Sequence, residues 1–188
     1  MRKRLAPGMA VPDFRYDTID KRAVDFRPNT NGQRGALFFL RYVGCPVCQL
    51  KLAQLTKDHD LFHGAGLRVF AVLQSNPSTV AEALSGRQLP FTIICDPDGE
   101  IFERFGVAPG NLLTYLAPSA LRESRRASRE GFRHGKREGN EMQLPAVFVT
   151  TEKGLIEYAY YGATIADVPS AKVILEAARA EASTSARR

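Results

Sequence analysis

The sequence predicts an α/β domain in which a mixed β-sheet is flanked by helices. Two observations lead to this prediction: short β-type runs alternate with helical patterns in the first half, and a hairpin and a final helix follow in the second. A length of 188 residues suits one domain with one buried core. The composition, 44% hydrophobic and 24% charged, excludes a disordered or a membrane protein.

Three runs are short, apolar at successive positions, and rich in branched and aromatic residues, as is typical of strands covered on both faces. They are residues 36–43, 67–73 and 91–95. Two further runs, 146–151 and 155–161, flank a turn of Glu, Lys and Gly and predict a β-hairpin. The predicted order is therefore β-α-β-α-β, a long connection, the hairpin and a terminal helix.

The first helix is predicted over residues 46–62, because one stripe of side chains recurs there at spacings of three and four. The stripe consists of Cys48, Leu52, Leu55, His59 and Phe62. A second helix is expected to run from an N-cap at Ser78 to Leu84, and a final one from Val168 to about Ala182.

The connection over residues 109–144 is too long to be an ordinary loop. We interpret it as an inserted helix and loop that lie over the same domain. Leu121, Ser124, Ser128 and Phe132 fall on one stripe of the inserted helix. The whole chain, 1–188, is expected to form a single domain with its core at about residues 10–180.

The net charge of +6 is concentrated in the basic segment 118–137 and in the two termini. Phe132 is the single aromatic residue of this segment, so the pattern argues against a nucleic-acid site and favours a solvated helix face or a dock for an acidic partner. Residues 1–9 contain no apolar signal-type run, and no segment approaches the roughly 20 apolar residues of a membrane span. A cytoplasmic protein without a membrane partner is therefore expected.

Three cysteines in a chain of this size indicate chemistry rather than a disulfide scaffold. Cys45 and Cys48 lie between a predicted buried strand and a helix that begins at Pro46, where the missing N–H of proline costs nothing. Cys45 is then the N-cap, and its sulfur faces unpaired N–H groups that lower the thiol pKa. Cys45 is the expected nucleophile. Cys48 is expected to be less exposed and to resolve the reaction, whereas Cys95 is expected to be a buried structural residue.

Zinc binding is the competing interpretation of the cysteine pair, because His59 and His63 complete a Cys-x2-Cys-x10-His-x3-His spacing. In one continuous helix Cys48 and His59 lie about 16 Å apart along the axis. Zinc ligands must lie roughly 2.0 to 2.3 Å from the metal. We therefore expect neither a metal nor a tightly bound cofactor, and we assign both histidines to the helix surface.

The strand, Cys-x-x-Cys and helix together resemble the thioredoxin-like superfamily. Further strings resemble its peroxiredoxin-like branch, the alkyl hydroperoxide reductase/thiol-specific antioxidant family. They are Val11-Pro12-Asp13-Phe14, then Cys95-Asp96-Pro97-Asp98-Gly99 with Phe105-Gly106-Val107, and Gln143-Leu144-Pro145-Ala146-Val147-Phe148-Val149. The resemblance covers about residues 10–180. It implies a thioredoxin-like fold and places Pro145 where the family has a cis-proline.

The sequence departs from the family at the places seven and three residues before the reactive cysteine, where Pro and Thr or Ser are usual. Counted from Cys45, these places hold Phe38 and Tyr42; counted from Cys48, they hold Arg41 and Cys45. The family's second arginine is also absent before Phe148, since Pro145 stands there. Peroxide reduction is therefore less firmly implied than dithiol chemistry.

Residues around the motif are assigned supporting roles. Arg41 is a candidate for polarising a peroxide or stabilising the thiolate, with a structural salt bridge as the alternative. Tyr42 is interpreted as a strand residue, with a catalytic acid as the alternative. Gly44, Pro46 and Pro145 complete the candidate substrate-binding set.

The predicted function is thiol oxidoreduction, in which Cys45 attacks a peroxide or a disulfide and Cys48 closes a disulfide. A thioredoxin- or glutaredoxin-type protein or glutathione would restore the thiols, and a homodimer would be usual for the family. The alternative is a redox-sensing binding protein, in which the Cys45–Cys48 disulfide moves the segment 118–137 and changes its affinity for an acidic partner.

Overall fold

The computed structural model describes residues 3–26 and 33–185, with side chains up to residue 180; Arg2, Arg187 and Arg188 of the basic termini lie outside this part. The strands are β1 Phe14–Tyr16, β2 Val24–Phe26, β3 Arg34–Leu40, β4 Leu67–Leu73, β5 Thr92–Cys95, β6 Ala146–Thr150 and β7 Ile156–Tyr161. The helices are α1 Pro46–Lys57, α2 His59–Gly64, α3 Pro77–Leu84, α4 Glu100–Arg104, α5 Leu112–Tyr115, α6 Pro118–Arg129 and α7 Ala171–Ser185.

Five strands form a mixed sheet in the order β5-β4-β3-β6-β7. β3, β4 and β5 run parallel, whereas β6 is antiparallel to β3 and forms the predicted hairpin with β7. β3 is the central strand, and every residue from Gly35 to Leu40 is buried. The continuous apolar runs of the sequence therefore correspond to strands with both faces covered.

The two faces of the sheet pack against different elements. One face carries Phe38, Leu40 and Val149, against which α1, α2 and α7 contribute Leu55, Phe62 and other apolar side chains. The opposite face carries Phe39, Phe148 and Val72, packed against α4 and the β1–β2 hairpin. The cysteine pair belongs to the first cluster, so the candidate site lies at the carboxyl end of β3 on the α1 side.

The β1–β2 hairpin and α4 were not predicted. Strands of three residues are too short to show an alternating pattern, and tertiary packing holds this hairpin in place. The Phe14 and Phe26 rings stack with centroids 4.5 Å apart, and Phe105 meets Phe14 edge-on at 5.7 Å.

The prediction of one helix over residues 46–62 is wrong, because the helix ends at Lys57 and a second begins at His59. Asp58 lies between them with φ −90° and ψ 0°, outside the ideal helical geometry. Phe62 of the second helix is buried, and its ring meets Phe38 of β3 edge-on with centroids 5.6 Å apart.

Three other helix predictions need correction. The N-cap of α3 is Asn76 rather than Ser78, with Pro77 in the first turn. α7 begins at Ala171, after Pro169, and not at Val168. α6 buries Ala120 and Ala127 rather than the predicted stripe, since small side chains allow it to approach α1 closely.

Within the described residues, no helix is both long enough and apolar enough to cross a bilayer.

Candidate functional site

The cysteine motif lies at the junction between the central strand and α1, where the chain leaves the sheet. Cys45 is the N-cap of α1 with extended backbone angles, φ −79° and ψ 124°, and Pro46 occupies the first turn. The Cys45 Sγ accepts a hydrogen bond from the Cys48 backbone N–H at 3.4 Å. The predicted helix-capping cysteine is therefore confirmed, and its sulfur meets the positive end of the helix.

Two donors stabilise negative charge on Cys45. The hydrogen bond from the Cys48 thiol lowers the pKa of Cys45 to about 6, although burial acts in the opposite direction. The Arg41 guanidinium also lowers this pKa, and its Nη2 donates to Cys45 Sγ at 2.8 Å. Cys45 is thus a thiolate at neutral pH, which is the nucleophilic form of cysteine.

Cys48 has the opposite character. Its hydrogen bond to Cys45, together with burial, raises the pKa of Cys48 well above the ordinary value. The two sulfurs are not bonded to each other. Helix α1 therefore begins with a thiolate at Cys45 and a protonated thiol at Cys48, which is the division of roles expected of an attacking and a resolving cysteine.

Cys45 was expected to be more exposed than Cys48, and this expectation is wrong. The exposed fraction is 0% for Cys45 and 3% for Cys48. The segment 133–143, the end of the long inserted connection, which we call the lid, contacts the neighbouring Gly44 and Arg41. Its Gly135 N–H donates to the Gly44 carbonyl at 2.8 Å, directly beside the cysteine.

Arg41 and Tyr42 make contacts that their sequence positions do not reveal. The Arg41 Nη1 donates to the Glu141 carbonyl at 2.5 Å and lies 3.5 Å from the Glu141 carboxylate. Tyr42 follows β3 rather than belonging to a strand, which corrects its predicted place. Its hydroxyl donates to Glu141 Oε1 at 2.5 Å and lies 3.1 Å from His134 Nε2.

Burial and the hydrogen bond to Glu141 raise the pKa of Tyr42. A phenol held in this way keeps its proton at neutral pH, and it serves as a fixed donor to the lid. Arg41 thus combines both of its candidate roles, since it contacts the thiolate and pairs with a carboxylate.

Glu141 and His134 were missed by sequence reasoning. Glu141 lies 100 residues after Arg41 along the chain, so no local spacing connects them. A weak signal was available, because Glu138 and Glu141 directly follow the basic segment 118–137.

The remaining candidate residues, Gly44 and Pro145, lie in different places. Gly44 lies under the lid, where a Cβ atom would collide with the Lys136 carbonyl. Pro145 is buried before β6 and its carbonyl accepts from the Gly162 N–H at 2.9 Å. The expected cis-proline is not found, since the described residues contain no cis peptide bond.

Cys95 is buried at the end of β5 with an exposed fraction of 4%, and burial raises its pKa to about 12. Its backbone N–H donates to the Asp17 carbonyl at 2.8 Å. A protonated, buried thiol of this kind has little nucleophilic character.

His59 and His63 lie on α2, with their rings stacked at a centroid distance of 5.9 Å. In the described part of the chain, no three His, Cys, Asp or Glu side chains converge as metal ligands would. The break at Asp58 does not bring the histidines to the cysteine pair.

The lowered pKa of Cys45 predicts how the reactivity of this cysteine depends on pH. The thiolate is present above about pH 6 and is lost as the pH falls through that value, because the pKa of the folded-state thiol is depressed. The rate of alkylation of Cys45 by iodoacetamide should therefore be half-maximal near pH 6. A Cys95→Ser variant should give the same profile, and a midpoint near the ordinary thiol value would contradict the assignment.

The model of the AhpC/TSA family matches residues 7–159. The chain is 27% identical to peroxiredoxin Bcp of Escherichia coli strain K12 over 103 residues, 55% of this chain and 62% of that protein. It is 26% identical to a putative peroxiredoxin bcp of Haemophilus influenzae over 106 residues, 55% of this chain and 66% of that protein. The matched region thus spans less than two thirds of each of these relatives.

Solved structures of similar shape cover nearly the whole chain. A peroxiredoxin-like protein from Aquifex aeolicus aligns with TM-score 0.65 and 15% identity, over 96% of this chain and 90% of its own. Peroxidoxin BcpB from Mycobacterium tuberculosis gives 0.65 and 15%, over 94% and 98%. A putative thiol:disulfide interchange protein DsbE from Chlorobium tepidum gives 0.58 and 16%, over 96% and 97%. The predicted thioredoxin-like α/β fold is thereby confirmed.

Proposed function

The chain belongs to the AhpC/TSA family, and from this premise we propose that it reduces hydroperoxides through Cys45 and Cys48. The observation that carries the proposal is the Cys45 Sγ, which lies 2.8 Å from Arg41 Nη2 and accepts from the Cys48 backbone N–H at 3.4 Å, both of which favour its thiolate. An ionised nucleophile, a cation beside it and a second thiol at the next turn are the groups that two-step peroxide reduction requires.

In the first step, the Cys45 sulfur attacks the terminal oxygen of the hydroperoxide. An S–O bond forms and the O–O bond breaks, so that Cys45 is oxidised to a sulfenic acid and the peroxide is reduced. The departing alkoxide takes a proton and leaves as the alcohol. The Cys48 thiol, three residues further along the same helix, is the proton source.

In the second step, the Cys48 thiolate attacks the Cys45 sulfur. The S–S bond forms, the S–O bond breaks, and the hydroxide that leaves is protonated by solvent to give water. A dithiol then attacks the disulfide, gives up two electrons and restores both cysteines. A thioredoxin- or glutaredoxin-type protein, or two molecules of glutathione, would supply them in a reducing compartment such as the cytoplasm.

Arg41 favours a peroxide over a disulfide as the oxidant. Its Nε is buried and has no hydrogen-bond partner among the residues that the structure describes. Nε and Nη2 share one edge of the guanidinium, so the donor without a partner lies beside the one that contacts Cys45. A peroxide oxygen accepts such a hydrogen bond, whereas a disulfide sulfur is a poor acceptor. Arg41 would thus polarise the peroxide. The residues that usually do this in the family are absent before Cys45.

A parallel assay tests the proposal. The reduced protein should consume about one equivalent of hydrogen peroxide, form the Cys45–Cys48 disulfide, and turn over when a dithiol-regenerating system is added. It should reduce the disulfides of insulin more slowly under the same conditions. Disulfide reduction without peroxide consumption would overturn the preference for peroxide.

The Cys48→Ser variant should change the product rather than prevent the first step. Without a resolving thiol, the Cys45 sulfenic acid should accumulate, and it can be trapped with dimedone. Disulfide formation in this variant, within one chain, would show that Cys48 is not the resolving residue.

A further inference from the structure

A cluster of exposed leucines lies on α5 and at the start of α6. Within ten residues of the sequence, Leu112, Leu113, Leu116 and Leu121 are exposed by 58%, 81%, 49% and 41%. Single apolar side chains are common on protein surfaces, whereas a group of neighbouring ones is typical of a surface that contacts a partner or a lipid. This part of the surface therefore calls for an occupant that can remove the leucines from water.

Local contacts hold α5 so that its leucines face outward. Asn111 Oδ1 accepts from the Leu113 and Thr114 backbone N–H groups at 3.0 and 3.2 Å, and Thr114 Oγ1 accepts from the Asn111 N–H at 2.9 Å. On the inner side, the Tyr115 ring packs on Arg41, with its centroid 5.6 Å from the guanidinium carbon. Because α5 is capped at its start and anchored inward, the exposure of its leucines belongs to the folded structure.

A row of arginines continues the leucines along the outer face of α6. Leu121, Arg125 and Arg129 follow one another at intervals of four residues, and all three are exposed, so they share one side of the helix. Arg126 pairs with Glu123 at 3.7 Å. Within the part of the chain that the structure describes, neither Arg125 nor Arg129 has an ion-pair partner. Like charges four residues apart destabilise a helix, and an anionic partner would relieve this repulsion.

We infer that α5 and the outer face of α6 bind the surface of anionic phospholipid bilayers. The residues of this leucine–arginine surface are Leu112, Leu113, Leu116, Leu121, Arg125 and Arg129. The leucines enter the boundary between headgroups and acyl chains, and the arginines contact the lipid phosphates. The inference does not rest on the proposed function, because binding to a bilayer requires no redox step.

The sequence was expected to have no membrane partner, since it has no apolar run long enough for a span. A contact with the bilayer surface needs no spanning helix. It needs apolar side chains exposed beside cations, and exposure is a property of the folded chain. The basic segment, interpreted from the sequence as a solvated face or a dock for an acidic partner, is on this inference a dock for acidic lipids.

Charge and shape favour a bilayer over other occupants. A second copy of this chain, bound about a two-fold axis, would bring the leucine–arginine surface against itself, so that arginines would face arginines. A soluble acidic protein could neutralise the arginines, but it would also need an apolar pocket for each leucine. An anionic bilayer offers an apolar layer directly beneath a layer of phosphates, which is the arrangement that this surface complements.

Binding would also orient the cysteine site. Tyr115 of α5 packs on Arg41, and Arg41 donates to Cys45 Sγ. The leucines lie on the outer side of the same short helix. A protein docked through the leucine–arginine surface would therefore hold its cysteine site close to the lipid headgroups.

Co-sedimentation of the full-length protein with lipid vesicles tests the inference. Partitioning onto phosphatidylcholine vesicles with about 30% phosphatidylglycerol should be at least about tenfold stronger than onto phosphatidylcholine alone. Arg125→Gln/Arg129→Gln should weaken binding to the anionic vesicles by about twentyfold, since each arginine near such a surface contributes about fivefold. Leu113→Ser should weaken it by about fivefold, because one leucine no longer leaves water.

Matched variants remove the same groups from other places. Arg15→Gln/Arg87→Gln lowers the net charge by the same amount, and both of these arginines are exposed. Leu61→Ser removes a leucine of α2 that is 55% exposed. Both control variants should bind the anionic vesicles within about twofold of wild type, because neither changes the leucine–arginine surface.

Tryptophan fluorescence gives a second measurement that does not depend on weakened binding. The chain contains no tryptophan, so Leu113→Trp introduces a single reporter. Its emission should shift to shorter wavelength on anionic vesicles and should be quenched by lipids brominated in their acyl chains. Leu61→Trp should show neither change.

Equal partitioning of the wild-type protein onto anionic and neutral vesicles would overturn the inference, as would a Leu113→Trp emission that does not respond to anionic vesicles. Weakened binding in Arg125→Gln/Arg129→Gln with wild-type binding in Leu113→Ser would also overturn it. The surface would then recognise charge alone, as expected of a dock for a soluble acidic partner. A dimer that dissociates in Leu113→Ser, without vesicle binding, would assign the leucines to a second copy of the chain.

Discussion

Replacing Cys45 by serine is expected to reduce hydroperoxide turnover by at least about a thousandfold. A serine hydroxyl is not ionised at neutral pH, and Arg41 together with the N-terminus of α1 does not lower its pKa enough to change this. The variant would keep the N-capping geometry, because a serine oxygen also accepts from the backbone N–H of the first turn. The loss should therefore appear in the chemical step and not in the fold.

Cys95→Ser is the matched control for this measurement. Cys95 is a buried thiol with a pKa raised to about 12, at the end of β5, so its replacement should leave turnover within about twofold of wild type. Initial rates of peroxide consumption with a regenerating dithiol give the comparison. Retention of turnover in Cys45→Ser, with its loss in Cys48→Ser, would assign the nucleophile to Cys48.

Replacing Arg41 by methionine is expected to lower the rate at about pH 7 by about a hundredfold. Methionine fills much of the buried space without charge. Cys48 still lowers the pKa of Cys45 in this variant, so the pKa should rise part of the way toward its ordinary value, and the smaller thiolate fraction at about pH 7 accounts for part of the loss. The loss of a hydrogen bond to the peroxide oxygen in the transition state accounts for the remainder.

The pH dependence separates these two contributions. Raising the pH to about 9 should restore the thiolate of Arg41→Met and recover most of the rate that was lost with the thiolate. The part of the loss due to the missing hydrogen bond to the peroxide oxygen should persist. Arg41→Lys keeps the charge without the planar fork, so its thiol pKa should stay low while its rate falls. An Arg41→Met thiol that still titrates near pH 6 would show that Cys48 and the helix suffice to ionise Cys45.

The strands were predicted well because their signal is local. The run 67–73 coincides with β4, and 36–43 contains most of β3. Each run is apolar at nearly every position, and such a strand is stable only where packed layers cover both of its faces. The β1–β2 hairpin and the break at Asp58 were missed. Their formation depends on contacts with Phe105 and Phe38, which lie far away in the sequence.

The same distinction applies to the site. Pro46 and the two cysteines predict the N-cap and a lowered thiol pKa, because the capping sulfur, the free N–H groups and Cys48 all belong to the first turn of one helix. The added effect of Arg41 on this pKa appears only in the structure. Glu141 and the lid beside Cys45 could not be predicted in this way. They come from a segment about a hundred residues away, brought there by the packing of the inserted connection.

The sequence by itself thus determined the α/β fold class and the identity of the candidate nucleophile, because hydrophobic patterning and helix capping act between neighbouring residues. Only the tertiary structure decided that Cys45 is buried, that Arg41 joins its thiolate to Glu141, and that Pro145 follows a trans bond. Burial and electrostatic interactions depend on distance in space, and that distance is set by the packing of the whole chain.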